Sequence, residues 1–195
     1  TTILVLGQGE VLGIIAVADQ LRPEAKDAIS RLKQNGIKRV IMLTGDNEGT
    51  ARAIAAQAGV DEYRYQLLPE DKVDAIRELK QKYNRIAMVG DGINDAPAMA
   101  AADVGIAMGV AGTDVALETA DLALMSDDLS KISYALGISR RAMTIIKQNV
   151  AASLAIVALV VILALIGKIS LVQGLLINEG SALLVMANGL RLLKG

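Results

Sequence analysis

An apolar stretch from Arg85 to Met88 runs directly into Val89-Gly90-Asp91-Gly92-Ile93-Asn94-Asp95-Ala96-Pro97, and this junction constrains the fold of the 195-residue chain more than any other segment. The apolar stretch reads as a buried strand, the glycines as a sharp turn, and Asn94 with Asp95 as the opening of a helix. A strand passed through a tight turn into a helix is part of a β-α-β unit, from which parallel sheets covered by helices are built. The residue types add chemistry. A carboxylate stands beside phosphoryl oxygens only when a hard cation such as Mg²⁺, which takes oxygen ligands, lies between them. Asp91 is therefore the candidate Mg²⁺ ligand, with Asp95 and Asn94 placed to support it. The same residues would also make an ordinary Asp-Gly turn and helix cap, so the rest of the chain has to decide.

A second junction of the same kind precedes the first. Arg39-Val40-Ile41-Met42-Leu43 reads as a buried strand and enters Thr44-Gly45-Asp46-Asn47, after which a helical pattern begins. Thr44 offers a hydroxyl and Gly45 an unhindered amide to a phosphoryl oxygen, both at the positive end of a helix. Asp46 or Asn47 caps that helix. Between the two junctions lies Leu67-Leu68-Pro69-Glu70-Asp71-Lys72, where Pro69 suits a first helical turn and Val73, Ile76 and Leu79 supply an apolar face. Lys72 sits beside that face, as a snorkelling side chain or, given its place between the turns, as a catalytic cation.

The remaining segments fall into the same alternation. Thr2 to Gly7 and Gly9 to Ala18 read as a β-hairpin. Helices are expected at Pro23 to Gln34, Glu48 to Ala58, Pro69 to Lys82 and Asn94 to Ala101. Strands are expected at Arg39 to Leu43, near Tyr63 to Leu67, at Arg85 to Val89, Val104 to Met108 and Asp121 to Leu124. A turn at Gly112-Thr113 and a short helix to Thr119 precede the last strand. This order predicts a parallel sheet with ligands at the carboxyl ends of its strands, where both glycine turns fall.

Beyond Leu124 the chemistry changes. Leu129, Ile132, Leu136, Met143 and Ile146 recur at helical spacing, so Asp128 to Gln148 reads as an amphipathic helix. Val150 to Gly167 then has Ser153 as its one polar side chain before Lys168, close to the roughly 20 residues that cross a bilayer. Leu171 to Leu193 is a second run, interrupted by Gln173, Asn178, Glu179, Ser181 and Asn188. Arg140, Arg141 and Lys147 before the pair, and Arg191 and Lys194 after it, outnumber Lys168 in its turn, which puts both ends on the cytoplasmic side. An ionisable group inside a span is a functional candidate, here Glu179. Apolar content of 53% and a mean hydropathy of +0.43 fit a partly membrane-embedded chain, and a net charge of −1 gives no footprint for nucleic acid. With no cysteine there is no disulfide framework.

Thr44-Gly45-Asp46, Lys72 and Gly90 through Asp95 resemble the second, third and fourth motifs of the haloacid dehalogenase superfamily. More closely, Asp19 through Arg22-Pro23, Thr44 through Asn47 and Gly90 through Pro97 resemble the phosphorylation domain of P-type cation-transporting ATPases. The resemblance implies an α/β, Rossmann-like parallel sheet with helices on both faces, followed by a transmembrane α-helical hairpin. It divides the chain into 1–18, the end of the connection from a nucleotide domain; 19–127, the C-terminal portion of the phosphorylation domain; 128–148, a stalk helix; and 149–195, two transmembrane helices. It implies ATP and Mg²⁺ as cofactors, with Asp91 and Asp95 at the metal and Asn94 supporting them. Thr44, Gly45 and Asp46 fall at phosphoryl oxygens, Lys72 offsets charge in transfer, and Asp19 lies near nucleotide and metal.

Asn178-Glu179-Gly180-Ser181-Ala182 is similar to the His-Glu-Gly-x-Thr pattern of the cobalt and zinc branch, with Asn for His and Ala for Thr, and less similar to the Asp-x-Gly pattern of the zinc, cadmium and lead branch. Asn178, Glu179 and Ser181 become the candidate ligands of a transported divalent ion of the zinc, cobalt or cadmium type, since oxygen donors suit these better than Cu⁺. On an ideal helix Glu179 points about 100° from Asn178, so either the site wraps widely or Gly180 loosens the helix. The family's nucleophile stands in an Asp-Lys-Thr-Gly segment, which does not occur here; Asp71-Lys72 is followed by Val73-Asp74. The expectation is thus a C-terminal fragment of an integral cell-membrane transporter with its catalytic domain in the cytoplasm, inactive alone. Its partners would be the lipid bilayer, the transported ion and the missing N-terminal part, which carries nucleotide-binding and actuator domains and other membrane helices. Two alternatives stay open: a membrane-anchored phosphatase of the same superfamily, and a non-catalytic, partner-binding remnant.

Overall fold

The computed structural model describes residues 2–7, 11–17, 20–91, 94–109 and 118–194, in two compact units, Thr1–Ser133 and Tyr134–Gly195. In the first, β1 (Thr2–Gly7) and β2 (Val11–Val17) pair antiparallel as the expected hairpin. The chain continues through α1 (Ala25–Gln34), β3 (Ile41–Leu43), α2 (Glu48–Ala58), β4 (Glu62–Arg64), α3 (Pro69–Lys82), β5 (Ala87–Gly90), α4 (Ala96–Ala101), β6 (Val104–Met108) and β7 (Leu122–Leu124). β3 and β4 run parallel with Ile41 opposite Glu62, and β5, β6 and β7 form a second parallel ladder in that order. The expected alternation of parallel strands with helices is borne out. Among the described residues β3 is laddered to β4 alone and β5 to β6 alone, so each has an open edge.

Burial along β6 is continuous from Gly105 to Met108, and because successive side chains point to opposite faces, both faces of the strand are covered. Ala107 enters a core with Ile76 of α3 and Ala98 and Met99 of α4, joined at its margin by Leu43 of β3. Ile106 and Met108 point the other way, to Leu124 and Ile132, with Leu32 of α1 at the margin. The core is built largely of alanine and methionine, and close packing follows: a Cβ on Gly105 would stand 3.1 Å from that of Met99.

At the amino ends of the parallel strands an aspartate recurs. Asp61, before β4, accepts the Val40 amide at 2.8 Å; Asp103, before β6, accepts that of Ile86 at 2.8 Å; and Asp121, before β7, accepts that of Gly105 at 2.8 Å. Each carboxylate satisfies a donor where a ladder begins and so pins its register. The Lys33 ammonium and the Val40 amide hold the Asp61 carboxyl below the ordinary carboxylate range; for Asp103 the Ile86 amide does so first, then Lys80.

Several boundaries differ from the pattern in the sequence; α1, β3 and β5 each begin two residues later than expected, at Ala25, Ile41 and Ala87. β4 stops at Arg64 instead of reaching Leu67, because Gln66 takes φ +54°, a left-handed conformation that no strand continues through. α4 starts at Ala96, with Asp95 as its N-cap residue and Pro97 in its first turn. Asp19, Gly92, Ile93 and the Gly112-Thr113 turn lie outside the described residues.

The remaining helices are α5 (Ser130–Leu165) and α6 (Leu171–Gly189), which ends in a 3₁₀ turn, Leu190–Lys194. Within α5 the amphipathic segment and the first apolar run form one uninterrupted helix. Ser170 and Gln173 make a reciprocal capping box at the start of α6. Ser130–Leu165 and Leu171–Leu193 are long and apolar enough to cross a membrane, and their most apolar stretches are 0% and 6% buried. Core helices of a soluble protein would be covered, so this surface calls for lipid or other membrane helices.

Candidate functional site

β3 delivers Thr44 at its carboxyl end, and the turn closes on itself. The Thr44 hydroxyl donates to Asp46 Oδ2 at 2.7 Å and accepts the Asp46 amide at 3.1 Å. Asn47, not Asp46, caps α2, accepting the Thr50 amide at 3.0 Å. That division leaves Thr44, Gly45 and Asp46 facing away from the capping work and grouped at the start of the helix.

The segment before α3 is tied to this turn. Leu67 donates its amide to the Thr44 carbonyl at 3.1 Å, and Gln66 donates to the Asp46 carbonyl at 2.8 Å. A Cβ on Gly45 would stand 3.3 Å from the Leu67 carbonyl oxygen, so a side chain there would press on this junction. Asp71 then accepts the Leu68 amide at 2.8 Å, which starts α3 on Pro69 and sets Lys72 in its first turn.

From there Lys72 reaches the other glycine turn. Its Nζ donates to Asp95 Oδ1 at 2.7 Å, and both side chains are only 16% exposed. Asp95 in turn lies over the end of β5: a Cβ on Gly90 would fall 2.6 Å from the Asp95 Cβ and 2.8 Å from its Oδ2. Gly90 is therefore glycine because the carboxylate needs the space. Thr44-Gly45-Asp46, Lys72, Asp95 and Gly90 are thus linked in one chain of contacts at the carboxyl ends of β3 and β5. Asp91 and Asn94 are exposed beside them.

The donor set fits Mg²⁺ in a particular way. Asp95 is bonded to Lys72, and Asp91, one position after β5, is an exposed carboxylate. Mg²⁺ is commonly bound through one or two carboxylates with waters and substrate phosphates completing its shell, and Asp91 suits that role. Among the described residues no group of three or more acidic side chains forms a closed metal cage.

Arg22, in the Asp-x-x-Arg-Pro turn, anchors the approach to α1. It donates to the Asp127 carbonyl at 2.9 Å and pairs with the Asp127 carboxylate, whose hydrogen bond raises the guanidinium pKa.

On α6 the three candidate cation ligands are not brought to one point. The helix continues through Gly180, and the Ser181 hydroxyl donates back to the Asn178 carbonyl at 2.6 Å. Asn178 and Glu179 are exposed, whereas Ser181 is half-buried. The helix shows none of the loosening at Gly180 that the sequence left open.

Sequence reasoning overlooked the Gln66–Leu68 bridge between the first turn and α3, because it works through backbone groups that any residue carries. It also overlooked the Lys72–Asp95 pair, whose partners lie 23 positions apart.

A family model described as haloacid dehalogenase-like hydrolase matches residues 1–103. A probable cadmium-transporting ATPase of Alkalihalophilus pseudofirmus is 50% identical over 99% of this chain and 27% of its own length. The zinc-transporting ATPase of Bacillus subtilis is 50% identical over 100% of this chain and 30% of its own. A crystal structure of a zinc-transporting PIB-type ATPase in an E2·Pi state superposes with a TM-score of 0.87 at 46% identity, over 98% of this chain and 31% of that one. The chain spans between a quarter and a third of the length of these relatives.

Proposed function

The chain belongs to the haloacid dehalogenase-like hydrolases, and from that premise we propose that it is part of a P-type ATPase that uses ATP to move a divalent heavy-metal cation of the zinc, cadmium or cobalt type across a membrane. The observation that carries the reading is the joining of the Thr44-Gly45-Asp46 turn, Lys72 and the Asp91–Asp95 turn in a chain that continues into two exposed apolar helices. Likeness over 99–100% of this chain to relatives named as cadmium- and zinc-transporting ATPases supports coupled transport over a membrane-anchored phosphatase.

In this reading ATP phosphorylates an aspartate in the part of the transporter outside these residues, and water later cleaves the acyl phosphate. The open edges of β3 and β5, whose strands share one core through Leu43 and Met88, support a nucleophile strand arriving from elsewhere in the protein. Mg²⁺ bound through Asp91 supplies the positive charge that lets a carboxylate and a phosphoryl group approach. The Thr44 hydroxyl turns from Asp46 to donate to a phosphoryl oxygen, and the Gly45 amide donates beside it. Lys72, held by Asp95, presents its ammonium to the charge that develops in transfer; fixed donors in a partly dehydrated site are effective because they need no reorganisation. Asp95 is a positioning residue for that lysine. Asp19 falls near nucleotide by family pattern.

The remaining elements take places in the same scheme. Residues 1–18 lead in from a nucleotide domain, 19–127 form the C-terminal portion of the phosphorylation domain, 128–148 the stalk and 149–195 the membrane hairpin. The charge bias at the helix ends supports a catalytic unit on the cytoplasmic side, and in this reading the hairpin lies in the cell membrane. Glu179, with Asn178 and Ser181, contributes to the cation path, completed by the transporter's other helices.

Labelled ATP supplied to the intact transporter with Mg²⁺ and single added metals tests the proposal. A hydroxylamine-labile phosphate that depends on one divalent metal, and that is lost on Glu179→Ala, is the expected result. Phosphoenzyme formation indifferent to every metal would overturn it.

A further inference from the structure

The two apolar helices meet along a narrow seam. On α5 the less exposed positions from Asn149 onward are Asn149, Ser153, Ile156, Val160 and Leu163; on α6 they are Gly174, Ser181, Val185 and Asn188, with Gly189 beside them. Near one end of the pair Val160 Cγ1 would be 3.3 Å from a Cβ on Gly174. Near the other end the seam is polar. The Asn188 amide donates to Asn149 Oδ1 at 2.8 Å, and the Asn149 amide donates to the Val185 carbonyl at 3.3 Å. Arg191 donates to Asn188 Oδ1 at 2.9 Å, and Gln148 accepts a longer bond from Asn188 at 3.4 Å. The step from Asn149 to Val160 along α5 equals the step from Val185 back to Gly174 along α6, so both ends report one antiparallel register.

An apolar seam in lipid specifies its own register poorly, because lipid tails are as apolar as the facing side chains. A buried amide does specify it, since its donors and acceptors match in only one alignment, as polar residues do at single coiled-coil positions. The azimuth of α6 has a consequence for its other groups. Ser181 and Asn188 lie within about 20° of each other around the helix, whereas Glu179 lies about 160° from Ser181. Glu179 thus stands on the side turned away from α5. A slip of one residue would rotate it by about 100° toward the seam.

We propose that the Asn149–Asn188 amide pair is the positioning element that fixes the register and rotation of α6 on α5 and so holds Glu179 on the outward face. The role for Glu179 rests on the transport reading above; the register does not. It follows that the groups completing a cation site with Glu179 come from helices packed on the side of α6 remote from α5.

Cysteine cross-linking in the intact transporter, with any cysteine outside these 195 residues replaced and the protein reconstituted in lipid vesicles, measures the register directly, since this segment has no cysteine of its own. In the Val160→Cys/Gly174→Cys pair the side chains are placed for a disulfide, whose Cβ atoms lie about 3.5–4.5 Å apart. Adding Asn149→Leu/Asn188→Leu, which keeps the helices apolar and able to insert, should lower the cross-linking yield ratio by between about fivefold and thirtyfold. That is the range one to two kcal/mol of interhelical hydrogen bonding represents. A second reporter, Val160→Cys with Leu175→Cys, should gain in the same background, which marks a turned helix and not a separated one. Gln148→Ala should leave both ratios unchanged. An unchanged Val160–Gly174 ratio in the double-leucine chain, loss at both reporters, or an equal loss with Gln148→Ala would each overturn the assignment. Metal-dependent turnover does not enter the readout, so a failed cargo role for Glu179 leaves this result standing.

Discussion

Replacing Gly90 with alanine puts a methyl carbon 2.6 Å from the Asp95 Cβ and 2.8 Å from its Oδ2. Carbon atoms in ordinary contact are about 3.5–4.0 Å apart, so Asp95 has to retreat by about 1 Å. Its bond to Lys72, now 2.7 Å, then passes beyond the roughly 3.2 Å limit of a good hydrogen bond. A hydrogen bond to a charged group contributes about 1.5–3 kcal/mol, and both partners here are mostly removed from water. If Lys72 acts in transfer, a loss of that size slows phosphoenzyme formation by about 10- to 150-fold. The assay is the rate of labelled phosphoenzyme formation by the intact transporter at saturating ATP and Mg²⁺. Asp95→Gly supplies the decisive background, because it removes the Cβ as well as the carboxylate while leaving a residue tolerated at an N-cap. In that background Gly90→Ala should slow the reaction no further. An equal slowing by Gly90→Ala with and without Asp95 would refute the reasoning, since the methyl would then be acting on something other than the Lys72–Asp95 pair.

Two more outcomes concern stability. Asn47→Ala removes the acceptor for the Thr50 amide and should lower the unfolding free energy of the catalytic unit by about 0.5–2 kcal/mol, with Asn47→Asp retaining most of it; equal denaturation midpoints for alanine and parent would contradict the capping role. The carboxyls of Asp61 and Asp103 are held below their ordinary range in the folded chain, so their contribution is fully present above the unfolded-state pKa of about 3.9 and is lost as pH falls through the lower folded values. Thermal unfolding followed downward from neutral pH should therefore show stability falling in acid, and Asp103→Asn should make that fall shallower; identical pH profiles would count against the clamp.

The turns were legible because glycine, aspartate and threonine carry chemistry that a strand-to-helix junction makes explicit, and the alternation of periods announced the parallel strands. Positions set by contact were not legible. Lys72 stands out by its place between the two turns, but its partner does not; only folding brings Asp95 to it. Gln66 looks like a strand residue until its backbone has to donate to the Asp46 carbonyl. The helix after β5 begins at Ala96, not Asn94, because Asp95 sits at the cap with its side chain turned to Lys72. On α6 the apolar run is plain, but the direction of Glu179 depends on which stripe meets α5, and Asn188 settles that only through a partner on another helix.

The aspartates that begin β4, β6 and β7 give the catalytic unit two ends with separate obligations. At one end carboxylates are bound to backbone amides, and protons are the agents that disturb them. At the other, hydroxyl, ammonium and carboxylate groups are grouped where strands stop, and in the proposed reading divalent cations and phosphates are the agents they answer to. Repeated cycles of charging and discharging at the second end need not be felt as strain at the first. In the transport cycle proposed above, strand alignment would thereby be insulated from the occupancy of the turns, and the unit could exchange bound charge there without renegotiating its own fold.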